Sequence, residues 1–162
     1  MKKYIGTKII NAKPMNRLEY NNFRGWTLPE DENGSDEGYL VEYVDGGKPN
    51  TPDYSGYVSW SPKEQFENAY KESGNLSFGD AIAYLKLGFK VARSGWNGKG
   101  MWLILQTGSE VTLREGTCYH KAGLKHVKVD PHIDMFTAAG TMQPGWLASQ
   151  ADILSDDWQI IK

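Results

Sequence analysis

The 162-residue chain has a single cysteine, no strong excess of charge of either sign and no long apolar run. One cysteine, Cys118, excludes an internal disulfide and fits a reducing compartment. Lysine and arginine number 18 against 20 aspartates and glutamates, and this net charge of −2 argues against a protein that coats DNA or RNA. No segment approaches the roughly 20 apolar residues of a membrane span, and residues 4–15 lack the apolar core of a signal peptide. We therefore expect a cytoplasmic protein with no membrane partner and no polymeric nucleic acid partner.

The sequence also has little that points to a metal or a nucleophile. Cys118 and His120 are too close together for a zinc ligand pair, and no second spaced pair follows them. His126 and His132 are the remaining histidines. A Cys118–His120 catalytic dyad is also disfavoured, since neighbours in sequence do not have the geometry that such catalysis needs. We expect no metal, no cofactor and no catalytic residues.

Local patterns divide the chain into two α+β units that meet near Ser73–Asn75, and we predict domains 1–73 and 74–162. For the first unit we predict a strand at Tyr4–Ile10 that Pro14 breaks, a helix at Asn16–Phe23, and a possible hairpin of strands Tyr39–Val44 and Tyr57–Trp60. A further helix is predicted to begin with Ser61 as its cap and Pro62 at its first position, and to end at Gly74.

For the second unit we predict a small antiparallel sheet with one main helix. Ser77 and Asp80 form a capping pattern, and the apolar residues that follow recur at helical spacing up to Gly88. Predicted strands follow at 89–93, 101–105, 133–136 and 158–161, with the second of them inside the sheet because it is apolar on both faces. Shorter strand pieces are predicted at 111–113 and 127–129, and a turn of helix at 149–154.

Four tryptophans lie between Ser94 and Trp158 among small polar residues and glycines. A large ring beside short polar groups is typical of a site that binds a flat polar ligand, because the ring stacks on the ligand face and the polar groups bond to its edges. This stretch therefore favours ligand binding over catalysis.

Four blocks of the second unit closely resemble a family of small phage proteins that includes the second type of Thoeris anti-defence protein. The resemblance covers about residues 75–162 and rests on Phe78–Ala81, Val91–Met101, Pro131–Met135 and Trp146–Leu154 with Asp157–Trp158. The first unit resembles another small phage module, for which no function can be assigned, through Arg24–Trp26, Glu37–Val41 and Ser59–Lys63.

The resemblance implies a sponge rather than an enzyme. Family members form homo-oligomers, typically homotetramers, that hold cyclic ADP-ribose isomers intact in the infected bacterial host and so block defence signalling. Glycocyclic ADP-ribose is the signal expected here, and some members also bind cyclic oligonucleotides at a separate site. The chain departs from the short members by its first 73 residues and by the sequence of its 110–129 loop.

With the resemblance added, Trp96 is expected to stack on adenine, although a tryptophan on a turn is often a lid on a core. Arg93 is a candidate donor to the pyrophosphate or else a solvated edge charge, and Lys99 is a weaker candidate. Asp134 can accept ribose hydroxyls or simply face solvent. The remaining site candidates have an equally simple structural interpretation as core, turn or helix cap: Phe78, Asn97, Met101, Ser149, Gln150 and Asp152. Trp102, Trp146 and Trp158 are predicted to belong to the core or to an interface.

Two other functions stay open from the sequence. The first is a hydrolase of the same signal, with His120, His132, Asp134 and Asp152 as acid and base. The second is a virion interaction module based on an aromatic patch of the first unit, comprising Tyr39, Tyr43, Tyr54, Tyr57 and Trp60.

Overall fold

The computed structural model describes residues 1–3, 6 and 8–161, and the chain divides into two compact units, Met1–Lys71 and Glu72–Lys162. We refer to these as the N-terminal unit and the C-terminal unit. The α+β class is confirmed, since both units combine antiparallel strands with short helices. Among the described residues, no helix has both the length and the apolar character needed to cross a membrane.

The N-terminal unit contains β1 (Ile10–Pro14), α1 (Arg17–Arg24), β2 (Gly38–Tyr43), β3 (Tyr57–Pro62) and α2 (Lys63–Ala69). Its antiparallel sheet has the order β1-β2-β3, which confirms the predicted hairpin. Its core is centred on Tyr20, Leu40 and Val58. The first helix begins with a capping box between Asn16 and Glu19, close to its predicted start.

The predicted first strand and its end differ from the structure. Tyr4, Ile5 and Thr7 lie outside the described residues, and β1 begins only at Ile10, the last residue of the predicted strand. Pro14, which was predicted to break the strand, is the last residue of β1 and lies opposite Tyr39, so the strand ends there. Proline is tolerated there because β1 is an edge strand.

The predicted cap and end of α2 were wrong. Ser61 lies in β3 opposite Tyr39, and Pro62 pairs with Gly38, so the strand continues to the residue at which the helix begins. Pro62 takes the cap position, and no side chain caps the helix. The helix then ends at Ala69 rather than at Gly74.

The C-terminal unit contains α3 (Phe78–Lys86), β4 (Lys90–Arg93), β5 (Trp102–Gln106), β6 (Ser109–Thr112), α4 (Cys118–Lys121), β7 (His126–Val129), β8 (His132–Phe136), β9 (Met142–Gln143), α5 (Gln150–Ile153) and β10 (Trp158–Ile161). The main sheet has the order β10-β4-β5-β8-β9, so β5 is the inner strand, as predicted. The capping box of Ser77 and Asp80 is also confirmed.

One face of this sheet forms the core with α3. Val91 and Leu103 are opposite each other in the sheet and fully buried, and they pack with Leu85 of the helix. Trp158, the first residue of β10, is also fully buried in this core. The helix therefore supports the strand end at which Arg93 pairs with Trp158.

Strands β6 and β7, which follow β5 and precede β8 in the chain, form a separate two-stranded antiparallel ribbon. The sequence predicted these two strands but not α4, the single helical turn between them. Cys118 in that turn is exposed. Thr117 takes the cap position of this turn but makes no side-chain cap bond to it.

Candidate functional site

The candidate site is centred on the turn that follows β4. The backbone N–H of Ser94 donates to the Asp157 carbonyl oxygen at 3.1 Å, and the N–H of Gly95 donates to Asp157 Oδ2 at 2.8 Å. A Cβ at Gly95 would lie 2.5 Å from the same Oδ2. Glycine is therefore required for this turn to lie against the carboxylate, and the turn fixes the position of Trp96.

Arg93 lies between two carboxylates. Its Nε donates to Asp157 Oδ1 at 2.7 Å, and its Nη1 donates to Asp152 Oδ1 at 2.8 Å. Its side chain is only 13% exposed. The bonds to the carboxylates of Asp157 and Asp152 raise the pKa of Arg93 against the opposing effect of its burial. Arg93 thus ties the end of β4 to α5 and to the residue before β10.

Asp152 is the acceptor on which the site converges. Its Oδ1 accepts from Arg93 and from the indole Nε1 of Trp96, the latter at 2.9 Å. Its Oδ2 accepts from the backbone N–H and the hydroxyl of Ser149, at 3.0 and 2.7 Å. Burial acts to raise the pKa of Asp152, but the bonds from Ser149, Trp96 and Arg93 outweigh it and hold that pKa far below its usual range. Asp152 is therefore an ionised structural acceptor.

The indole of Trp96 packs against other aromatic rings as well as bonding to Asp152. Its ring centroid lies 5.5 Å from that of Trp158 and 6.2 Å from that of Trp146, both in edge-to-face geometry. Phe78 completes the group, 5.5 Å from Trp158. Trp96 itself remains partly exposed. The ring is thus fixed along one edge while part of its surface is open to solvent.

The structure brings several predicted site residues together and leaves others apart. Phe78, Arg93, Trp96, Ser149 and Asp152 form one connected group through the contacts above. Asn97 and Lys99 are exposed on the turn, and Gln150 is exposed on α5. Met101 packs on the core beside Gly98. Asp134 lies in β8, away from the connected group.

Asp134 lies on the sheet face opposite the core. Its neighbour Met135 packs in that core, and successive strand residues point to opposite faces. The Asp134 carboxylate is buried, accepts from the Gly145 N–H at 3.3 Å and lies 3.3 Å from His132 Nε2. It therefore belongs to a different surface from Trp96.

Asp157 is a member of the site that the sequence analysis did not single out. The bond from Arg93 lowers its pKa below the usual range, and the Gly95 N–H contributes in the same direction. Its position directly before β10 was visible in the sequence. The missing information was that β10 pairs with β4, which places Asp157 beside Arg93.

Histidine and cysteine do not converge on this site. Cys118 and His120 lie in α4, outside the main sheet. Across the described residues, no three His, Cys, Asp or Glu side chains are grouped so that they could hold a metal ion.

Comparison with known proteins identifies the C-terminal unit. Residues 76–161 match the model of the Thoeris anti-defense 2-like domain family. A similar protein is Thoeris anti-defense 2 of Bacillus phage SP01, which is 35% identical over 86 residues, covering 53% of this chain and 94% of the relative. The matched region contains every residue of the connected group around Asp152. The chain belongs to the Thoeris anti-defense 2-like family.

Proposed function

We propose that the C-terminal unit, residues 74–162 of the predicted division, binds a cyclic ADP-ribose-type signal, glycocyclic ADP-ribose in the first instance, and sequesters it without cleavage. The observation that carries this proposal is the partly exposed Trp96 indole, held by Asp152 along one edge and by two tryptophans on its sides. A ring immobilised in this way loses little conformational freedom when a base stacks on it. The protein would act in the cytoplasm of the infected host.

The geometry favours an indirect role for Arg93. Its Nε, Nη1 and Nη2 each already donate to Asp152 or Asp157, so in this proposal Arg93 holds the Trp96 turn in place rather than donating to a pyrophosphate. Lys99, exposed on the same turn, takes the phosphate role in this proposal, with Asn97 beside it. Both side chains are exposed to solvent rather than packed in the core.

Sequestration is favoured over hydrolysis because the carboxylate of Asp152 is saturated. Four donors occupy its two oxygens, and its low pKa makes it a weak base. Asp134 and His132 lie on the other face of the sheet and cannot act on a base stacked at Trp96.

We also propose that the signal-binding form is a homo-oligomer of four copies. Leu147 and Leu154 flank α5 and are 89% and 76% exposed, and apolar side chains so exposed near a site are typical of an interface. On the sheet face opposite the core, the rings of Trp102 and Phe136 stack with centroids 5.0 Å apart. Light scattering at micromolar concentration measures the oligomeric state, and a monomer would contradict this part of the proposal.

Calorimetric titration of the full chain with purified glycocyclic ADP-ribose tests binding. The complex is then heat-denatured and the released ligand chromatographed, with intact ligand expected. The Lys99→Ala variant should bind about tenfold to a hundredfold more weakly, since a charge-assisted bond contributes about 1.5–3 kcal/mol. Lys86→Ala, an exposed lysine at the end of α3, is the matched control and should bind normally. Release of a cleaved product would instead establish the hydrolase, and titration with a cyclic oligonucleotide examines the second ligand class.

A further inference from the structure

The N-terminal unit contains an open groove of about 790 Å³. Its walls are α1, the loop that follows it, the start of β2 and α2. The residues most important for its chemistry are Leu18, Glu19, Leu28, Glu37, Tyr39 and Glu67. A volume of this size is in the range of ligand-binding pockets, which is about 300 to 1,000 Å³.

The floor of the groove is apolar. Leu18 is 45% exposed although it lies beside the half-buried Leu28. A Cβ at Gly34 would lie 3.0 Å from both leucine side chains, so the loop packs closely against them and holds the floor in place. On the opposite wall the Tyr39 ring stacks on Phe66 with centroids 4.0 Å apart. Both apolar surfaces of the groove are therefore packed against neighbouring residues of the same unit.

The walls of the groove are negatively charged. Three carboxylates line it, and among the described lining residues Lys63 is the single cation, so the charge sums to −2. Glu37 accepts from Lys63 at 2.8 Å, and Glu67 accepts from the Tyr39 hydroxyl at 2.9 Å. The acidic loop adds Glu30, Asp31 and Asp36 nearby in sequence. A groove with this field attracts cations and repels phosphate, nucleic acid and anionic lipid.

From the apolar floor and the acidic walls together we infer that the groove binds an extended segment of a partner protein in which lysine or arginine alternates with leucine-like side chains. The apolar side chains would cover Leu18 and Leu28, and the cations would meet Glu37 and Glu67. Charge complementarity of this kind sets partner choice and association rate. This activity is additional to signal binding by the C-terminal unit and does not depend on it.

Fluorescence anisotropy with labelled peptides tests the inference on the full chain. The probe is Gly-Ser-Leu-Lys-Leu-Lys-Leu-Ser-Gly, compared with one peptide in which glutamate replaces lysine and one in which serine replaces leucine. We expect binding of the first peptide alone, weakened by added salt because the contact is partly ionic. The double variant Glu37→Gln with Glu67→Gln should weaken it by about tenfold or more, as the loss of two ionic contacts requires. The amide oxygens of the double variant can still accept the bonds from Lys63 and Tyr39.

Matched controls separate the groove from general charge and surface effects. Glu64→Gln changes an exposed carboxylate of α2 outside the groove, and Val44→Ser changes an exposed apolar residue similar in exposure to Leu18. Both should bind the peptide normally, whereas Leu18→Ser should weaken it. Equal binding of the lysine–serine peptide would show a simple cation site and overturn the inference. So would an unaffected double variant, or failure of the first peptide to bind, and none of these results would alter the signal-binding measurement.

Discussion

Replacing Asp152 removes the acceptor on which four donors of the C-terminal unit depend. In Asp152→Ala the Ser149 side chain still caps α5, but the two bonds that Ser149 donates to the carboxylate are lost, at about 1 kcal/mol, and the Trp96 N–H and one Arg93 N–H lose their partner, at about 1–3 kcal/mol. Arg93 keeps its bonds to Asp157, so the full cost of an isolated buried charge does not arise. The sum is a loss of about 2–4 kcal/mol in the free energy of unfolding.

The Asp152→Asn variant tests whether both carboxylate oxygens are needed as acceptors. Both carboxylate oxygens accept, one from Arg93 and Trp96 and the other from Ser149. An asparagine has one acceptor oxygen, so its NH₂ group must face donors on one side. We therefore expect this near-isosteric variant to lose about 1–3 kcal/mol, as for other buried donors left without acceptors.

Urea denaturation followed by tryptophan fluorescence measures both losses, because four of the six tryptophans lie in the C-terminal unit. Glu115→Ala, an exposed carboxylate of the same unit, is the control and should stay within about 0.5 kcal/mol of the original chain. An Asp152→Asn variant as stable as the original chain would show that the unit does not need an acceptor at both oxygens of residue 152.

The pH dependence of stability gives an independent measurement on the same residue. Asp152 and Asp157 have pKa values below those of unfolded aspartate, about 3.9, so between the folded and unfolded values the unfolded chain binds more protons. Their stabilisation is present above pH of about 4 and is lost as pH falls towards the folded pKa values. Asp152→Asn should therefore show a smaller loss of stability in acid than the original chain.

Substitutions at three further positions have expected outcomes. Trp96→Phe keeps a ring but loses the bond to Asp152, so calorimetry should find signal binding largely retained and stability lower by about 1 kcal/mol. Trp96→Ala should abolish signal binding. Equal losses of binding affinity in the two variants would refute stacking. Gly95→Ala should destabilise the C-terminal unit in thermal melts because its Cβ would meet Asp157 Oδ2 at 2.5 Å, while Gly79→Ala in α3, where only Ser77 Oγ lies near at 3.6 Å, should not. In the N-terminal unit, bonds from Asn11 and Gly56 lower the pKa of Glu42, so the stability that its carboxylate confers is lost as pH falls below about 4.3. Glu42→Gln should reduce that loss of stability in acid. The measurement is an acid titration followed by the NMR signal of the Trp60 indole N–H.

The sequence predicted those elements whose signals are local. The capping box of Ser77 and Asp80 in α3 spans four residues, and its side chains find the predicted backbone partners. The error at α2 has the same origin, since Ser61–Pro62 resembles a helix start only when the strand before it is ignored. The pairing of Ser61 with Tyr39 overrides the local preference. Local patterns fail where a neighbouring strand determines the end of an element.

The geometry of the candidate site was less predictable because its contacts join distant parts of the chain. Arg93 and Asp157 are 64 positions apart and meet only because β4 pairs with β10. By contrast, the separation of Asp134 from Trp96 follows from strand alternation once Met135 is known to be in the core. The role of each predicted site residue in ligand binding stays a prediction.

Asp152 shows why a helix cap and a site residue are not alternatives. A cap uses one oxygen of the carboxylate, and Ser149 occupies that oxygen here. The other oxygen is then available for long-range donors, and Trp96 and Arg93 bind to it. Because one rigid carboxylate is shared by a helix start, a strand end and an indole, the position of the ring is set by the fold before any ligand arrives. In the proposed function, such preorganisation serves affinity for the signal. A carboxylate so fully bonded has no lone pair left to accept a proton, so the contacts that fix the Trp96 ring also make Asp152 a poor general base.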